Sequence, residues 1–235
     1  MGWQQTEDEG CPRVPGVISV TACGTQDHDH GTMMKRRQLI GSRVLALLLV
    51  GSLAADVLLK DVGDMQQLMW ACYWASACVV AGVFFRSDAL VSWGVIFFAG
   101  LGLPAWLVGV AIYRDVQLTS VLMHTVPLLA GLYYMSGMTA MPRYSYVGAW
   151  LLYVVPFGLS WRFCSAEAMI NLSHWVQRPL RHTLPSNAAF YSVLLVLSAV
   201  MVLAAYAAMQ YVLLRRSDLT AAALPAAAEA DVRRS

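Results

Sequence analysis

Six long apolar segments are the feature that most constrains how this chain folds. Each contains about 20 residues or more, enough for a helix rising 1.5 Å per residue to cross a ~30 Å hydrocarbon layer. The segments run over residues 39–59, 65–85, 90–112, 118–137, 144–163 and 188–214. Backbone polar groups must be paired inside a bilayer, so such runs predict helices. We therefore predict an all-α, polytopic membrane protein with a bundle of six transmembrane helices over residues 35–216.

The composition supports a lipid-facing exterior. Hydrophobic residues make up 58% of the chain and charged residues only 13%, about half the ~25% of an ordinary soluble domain. A formal net charge of +2 is too small to indicate a nucleic-acid partner. We expect membrane lipids as the surroundings, and partner subunits of a membrane complex as the other class of contact.

The distribution of Lys and Arg predicts the orientation. With the N-terminus inside, eleven of the 16 basic residues lie on the cytoplasmic side and five on the other. Cytoplasmic loops carry such an excess. The sequence thus predicts cytoplasmic termini and a multi-pass protein of the cell membrane, with a bacterial inner membrane as the expected location.

The two ends of the chain differ from the apolar segments. Residues 1–34 are polar and residues 217–235 are rich in alanine, and we predict both as disordered tails. The run Asp27-His28-Asp29-His30 offers metal-binding side chains, but a solvated tail is the simpler interpretation. The five cysteines show no metal-type spacing. We expect neither a metal nor a cofactor.

Two reactive residues are predicted at the same depth. Cys72 lies seven positions after Met65, where the second segment begins, and His124 seven positions after Gln117, where the fourth enters the membrane; both segments enter from the outer side. Seven residues of helix correspond to roughly 10 Å. Pro104 and Trp106 of the third segment are predicted at a similar level, with Ser160 and Asp56 slightly nearer the outer surface.

These residue types suggest nucleophilic catalysis. An imidazole that takes the proton of a thiol creates a thiolate that attacks acyl carbon. His124 is the candidate base, Cys72 the candidate nucleophile and Ser76, one turn further along, its substitute. Asp56 is the candidate group that orients the imidazole.

Structural interpretations of the same residues stay open. His124 can be a neutral histidine bonded to a backbone carbonyl, and Cys72 a small buried apolar residue. Asp56 can pair with Lys60 at the interface. A haem or metal ligand is disfavoured because no second histidine occurs within a segment.

Three stretches resemble a known family. The sequence WGVIFFAGLGLPAW in the third segment, SVLMHTVPLLAGLYY in the fourth, and NLSHWVQRP after the fifth resemble the YwaF-like integral membrane proteins. That family is distantly similar to the androgen-induced-protein group and to related membrane acyltransferases. The resemblance covers about residues 39–214. It implies a six-helix bundle and acyl-lipid chemistry, with His124 and, less directly, Cys72 as the residues carried over.

Three functions follow as hypotheses. The first is a lipid acyl hydrolase or acyltransferase with a Cys/Ser–His pair near the outer leaflet. The second is a non-catalytic accessory or structural subunit of a larger membrane complex. A small-solute transporter ranks third, because the polar groups are concentrated on one side and not spread through the midplane.

Overall fold

The computed structural model describes residues 26–59, 69–114, 118–164 and 187–232, and this part of the chain is helical without any strand. The helices are α1 (Gln26–Leu59), α2 (Ala71–Phe85), α3 (Asp88–Phe97), α4 (Leu103–Tyr113), α5 (Leu118–Met135), α6 (Ser145–Phe163) and α7 (Asn187–Val232). A π-helical turn, Phe98–Gly102, joins α3 to α4 in one continuous rod. The predicted all-α class is confirmed.

Within the residues that the structure describes, four helical stretches are long and apolar enough to cross a bilayer. They are Arg37–Ala55 in α1, Asp88–Ala111 in the α3–α4 rod, Leu118–Met135 in α5 and Ala189–Leu219 in α7. The apolar helix α2 has 15 residues, a length of about 22 Å. Helix α6 contains Pro156 and ends with Arg162 in its last turn.

Three helix bounds differ from the prediction. Helix α2 begins at Ala71 and not at Met65, because Trp70 is extended with φ −60° and ψ 130°. Helix α1 already begins at Gln26, and α7 continues to Val232, so both reach into the predicted tails. Alanine has the highest helix propensity of all residues, which explains why the Ala-rich stretch after Asp218 continues α7.

Helix α3 is the centre of the bundle. It packs against α2, α5, α6 and α7, and its residues from Val91 to Phe97 are buried apart from the half-buried Trp93. Helix α1 lies outside this group and packs against α5 and α2. Helix α7 packs mainly against the π-helical turn and α6.

Glycines let the neighbouring helices approach this rod. A Cβ atom on Gly94 of α3 would lie 2.8 Å from the carbonyl oxygen of Ala75 in α2 and would also clash with Val79. Gly131 of α5 has no room for a Cβ beside Val95. A close contact of the same kind occurs at Gly100, against α7, whereas a Cβ on Gly109 would have nothing within 4 Å.

Replacement of Gly94 by alanine is expected to destabilise the bundle. The new methyl group would meet the backbone of α2, which cannot move without shifting the whole helix. Overpacking of this kind costs about 1–3 kcal/mol. Unfolding in mixed micelles, followed by circular dichroism, measures the change in the free energy of unfolding.

Gly158→Ala in α6 is the matched control. A Cβ there has nothing within 4 Å, and alanine favours a helix over glycine by about 1 kcal/mol. Equal stability of the Gly94→Ala protein and the Gly158→Ala protein would contradict the packing described for α3.

Candidate active site

Helices α2 and α5 bring the two predicted reactive residues into contact. Cys72 lies in the first turn of α2 and His124 in the second turn of α5. The distance between Cys72 Sγ and His124 Nε2 is 3.3 Å, within hydrogen-bonding range for sulfur. Both side chains are part-buried.

The environment of His124 Nδ1 determines whether the thiol or the imidazole donates the hydrogen bond between Cys72 and His124. Nδ1 lies 2.8 Å from the backbone carbonyl oxygen of Ser120. A carbonyl oxygen only accepts, so Nδ1 must carry the hydrogen. In a neutral imidazole Nε2 then presents its lone pair, and the Cys72 thiol donates to it. The pair is therefore arranged for transfer of the thiol proton to the histidine.

Two aromatic side chains hold the imidazole ring. The Trp106 indole stacks on it, with ring centroids 5.4 Å apart and an interplanar angle of 17°. Phe98 meets the ring edge-on at 6.3 Å and 89°. Trp106 is itself fixed, because its Nε1–H donates to Ser120 Oγ at 2.8 Å. Ser120 thus anchors the histidine through its carbonyl and the indole through its hydroxyl.

The π-helical turn explains how both aromatic residues reach the same ring. In a regular α-helix, Phe98 and Trp106 would point about 80° apart at 100° per residue. Within the turn the N–H of Leu103 donates to the carbonyl of Phe98, five residues back. The extra residue in a π turn reduces the angle to about 20°. Pro104, which lacks an N–H, follows directly and disfavours the regular pattern there.

The start of α2 places backbone N–H groups beside the thiol. Cys72 is the second residue of α2 and so lies in its first turn. Tyr73 N–H donates back to the Trp70 carbonyl at 3.0 Å. The N-terminus of a helix favours negative charge, so this turn suits a thiolate or an oxyanion.

The other candidate residues are not shown to join the pair. Ser76 is buried, and its Oγ has no hydrogen-bond partner in the described part of the chain. The Asp56 side chain lies outside the described residues, and the Nδ1 atom that it would orient is bonded to the Ser120 carbonyl. Ser160 donates to the carbonyl of Pro156 at 2.6 Å.

In the described part of the chain, the pair does not belong to a metal-type cluster, and the two grooves beside α1 lie elsewhere. Among the side chains that the structure describes, no group of three His, Cys, Asp or Glu residues could hold a metal ion. The side chains of residues 27–30 lie outside that part. Two apolar grooves, of about 530 and 770 Å³, run beside α1, and neither is lined by Cys72 or His124.

Two residues of the site, Phe98 and Ser120, are not predicted from the sequence. Ser120 precedes His124 by four residues, the spacing of neighbours on one helix face, so its position next to the histidine could have been inferred. The contact of Phe98 could not, because it depends on the π-helical turn. The NLSHWVQRP stretch lies outside the described residues.

Comparison with known proteins identifies no relative. No family model matches the chain, and no match is found among the curated proteins or the solved structures.

The pairing predicts that His124 controls the reactivity of Cys72. Loss of the base in His124→Asn is expected to slow alkylation of Cys72 by a small maleimide about ten-fold or more, since general bases contribute at least that much. Peptide mass spectrometry after timed labelling measures the rate. Cys78, also part-buried on α2, is the internal control, and equal slowing of both cysteines would point to a general structural change.

Proposed function

We propose that this protein is an integral membrane enzyme that transfers or hydrolyses the acyl groups of membrane lipids. Cys72 is its nucleophile and His124 its base. The single observation that carries this proposal is the 3.3 Å contact between Cys72 Sγ and the Nε2 atom of a histidine whose Nδ1 is bonded to a carbonyl. A thiol that donates to such a nitrogen is arranged for activation.

The first half of the reaction transfers the acyl group to sulfur. His124 Nε2 accepts the proton of the Cys72 thiol, and the thiolate attacks the carbonyl carbon of a lipid ester. The tetrahedral intermediate collapses when the C–O bond of the ester breaks, and His124 returns the proton to the departing alcohol. A thioester at Cys72 remains.

The second half frees the enzyme. His124 removes a proton from water, in a hydrolase, or from an acceptor alcohol, in a transferase. The activated oxygen attacks the thioester, and the proton passes back to Cys72 sulfur. Ser76 is not the nucleophile in this scheme, since the hydrogen bond of His124 goes to Cys72.

Two features of the site support the charged states of this cycle. Trp106 stacks on His124, and an aromatic face stabilises an imidazolium by the same attraction that it offers other cations. Cys72 lies in the N-terminal turn of α2, where the helix dipole favours the negative charge of a thiolate or of the oxyanion of the tetrahedral intermediate.

The membrane arrangement belongs to the same proposal. Four stretches have the length and apolar character of spans, and α2 and α6 would complete a six-span bundle. Both termini would be cytoplasmic and the pair would open toward the outer leaflet, in the cell membrane and by expectation a bacterial inner membrane. The YwaF-like resemblance would fit this reading and stays a prediction.

A non-catalytic accessory subunit is the second candidate. One observation favours it: the polar groups at the pair bond to each other, from Trp106 to Ser120, from His124 to Ser120 and from Cys72 to His124. A network satisfied within the bundle is what a structural role requires. Co-purification of a stable partner, undisturbed by His124→Asn, would support this alternative.

Trapping of an acyl group on Cys72 tests the enzyme proposal. Purified protein is incubated in vesicles with a phospholipid that carries an alkyne at the end of one acyl chain. Wild-type protein is expected to acquire a label that neutral hydroxylamine removes, as thioesters require. Cys72→Ala should remove the label, and His124→Asn should reduce its rate by about 10²-fold or more.

Cys78→Ala provides the matched control on the same helix, and its labelling is expected to equal that of the wild type. The proposal fails if Cys72→Ala keeps the hydroxylamine-sensitive label, or if the wild-type protein acquires none while Cys72 remains reduced.

A further inference from the structure

The larger of the two grooves beside α1 lies between α1 and α2. Its volume of about 770 Å³ falls within the ~300–1,000 Å³ typical of ligand pockets. Its lining is apolar throughout: Val50, Leu53, Ala54, Val57, Leu58, Ala77, Val80, Ala81, Phe84 and Phe85. Since much of α1 belongs to a candidate membrane span, such a groove suits a hydrocarbon chain.

A cationic side chain lies on the face of α1 that lines this groove. Arg43 precedes Val50 by seven residues and Val57 by fourteen, the spacing of residues that share one helix face. Its Nε is buried and has no hydrogen-bond partner among the described residues. A buried N–H of a charged group without an acceptor is costly, so an acceptor from outside the described chain would stabilise it.

Arg43 does not itself line the groove, and the relative directions of the helices predict that it lies toward the Phe85 end. The amide of Gln38, early in α1, donates to the carbonyl of Tyr133, late in α5. Cys72 and His124 join the beginnings of α2 and α5. Helices α2 and α5 therefore run in the same direction, and α1 runs against both.

A second cation is found at this end. Arg86 follows Phe85 directly and closes α2 in a left-handed conformation, with φ 57°. Its side chain is exposed. The nearby Asp88 accepts a hydrogen bond from the Tyr134 hydroxyl at 2.9 Å. The charge asymmetry of the sequence predicts that this end of the bundle faces the cytoplasm.

We propose that this groove binds an anionic phospholipid, with an acyl chain along α1 and α2 and the phosphate at Arg43. Arg86 supplies a second positive charge at the headgroup. The apolar lining and the cations at one end match the two parts of such a lipid, and basic pockets between membrane helices bind anionic headgroups in this way. The proposal is independent of the Cys72–His124 pair.

Native mass spectrometry of the full chain tests the site. The probes are phosphatidylglycerol and phosphatidylcholine with identical acyl chains, offered in equal amounts in detergent. Wild-type protein is expected to retain phosphatidylglycerol preferentially. Arg43→Gln should lower the ratio of the two retained lipids about five-fold, the effect of one basic residue near a headgroup.

Two further variants separate the contributions of charge and groove. Ala81→Trp fills the groove without changing the charge and is expected to reduce retention of both lipids. Arg162→Gln removes an exposed cation in the last turn of α6 and should leave the ratio unchanged.

Several results would overturn the proposal. The first is an unchanged ratio of the two retained lipids in Arg43→Gln. The second is a drop in this ratio in Arg162→Gln as large as the drop in Arg43→Gln. The third is undiminished retention of both lipids in Ala81→Trp. A dimer that binds no lipid and that Ala81→Trp disrupts would assign the groove to a second copy of the chain.

Discussion

The hydrogen bond from His124 Nδ1 to the Ser120 carbonyl, 2.8 Å long, is the interaction on which the candidate site depends. It spans one turn of α5, so the helix itself orients the ring. It also leaves the lone pair of Nε2 directed at the Cys72 sulfur. In the familiar catalytic triads a carboxylate has this role. A carbonyl oxygen fixes the tautomer equally well but contributes no full negative charge, so an imidazolium would depend on the Cys72 thiolate beside it and on the face of the stacked Trp106.

The packing of α3 makes this contact between α2 and α5 possible. Cys72 and His124 belong to different helices, and each helix packs closely against α3, α2 at Gly94 and α5 at Gly131. A side chain at either glycine would push its neighbour outward. The same rod continues through the π-helical turn to present Phe98 and Trp106 to the ring. The α3–α4 rod thus both packs the bundle together and positions the aromatic side chains of the site.

Much of this arrangement can be predicted from the sequence, including the helices and the common depth of Cys72 and His124, but the start of α2 cannot. The length of the apolar segments predicts the helices, and the positions of Cys72 and His124 within them predict that the two residues lie at the same depth, but not that they touch. A helix that begins at Met65 would place Cys72 about two turns inside it, whereas α2 begins at Ala71, so Cys72 lies in the first turn. The π-helical turn depends on tertiary packing, and no local pattern revealed the contact of Phe98 with His124. The buried Nε of Arg43, which has no hydrogen-bond partner among the described residues, likewise depends on tertiary packing and not on local sequence.

The protonation state of the His124 ring tests the central claim most directly. Solid-state nuclear magnetic resonance of ¹⁵N-histidine-labelled protein in bilayers distinguishes the two neutral tautomers, and the spectrum of His124→Asn assigns the signal among the five histidines. The hydrogen bond to Ser120 predicts hydrogen on Nδ1 and an unprotonated Nε2 whose shift changes in Cys72→Ala. Hydrogen on Nε2, or an Nε2 signal indifferent to Cys72→Ala, would contradict the proposed thiol–imidazole pair.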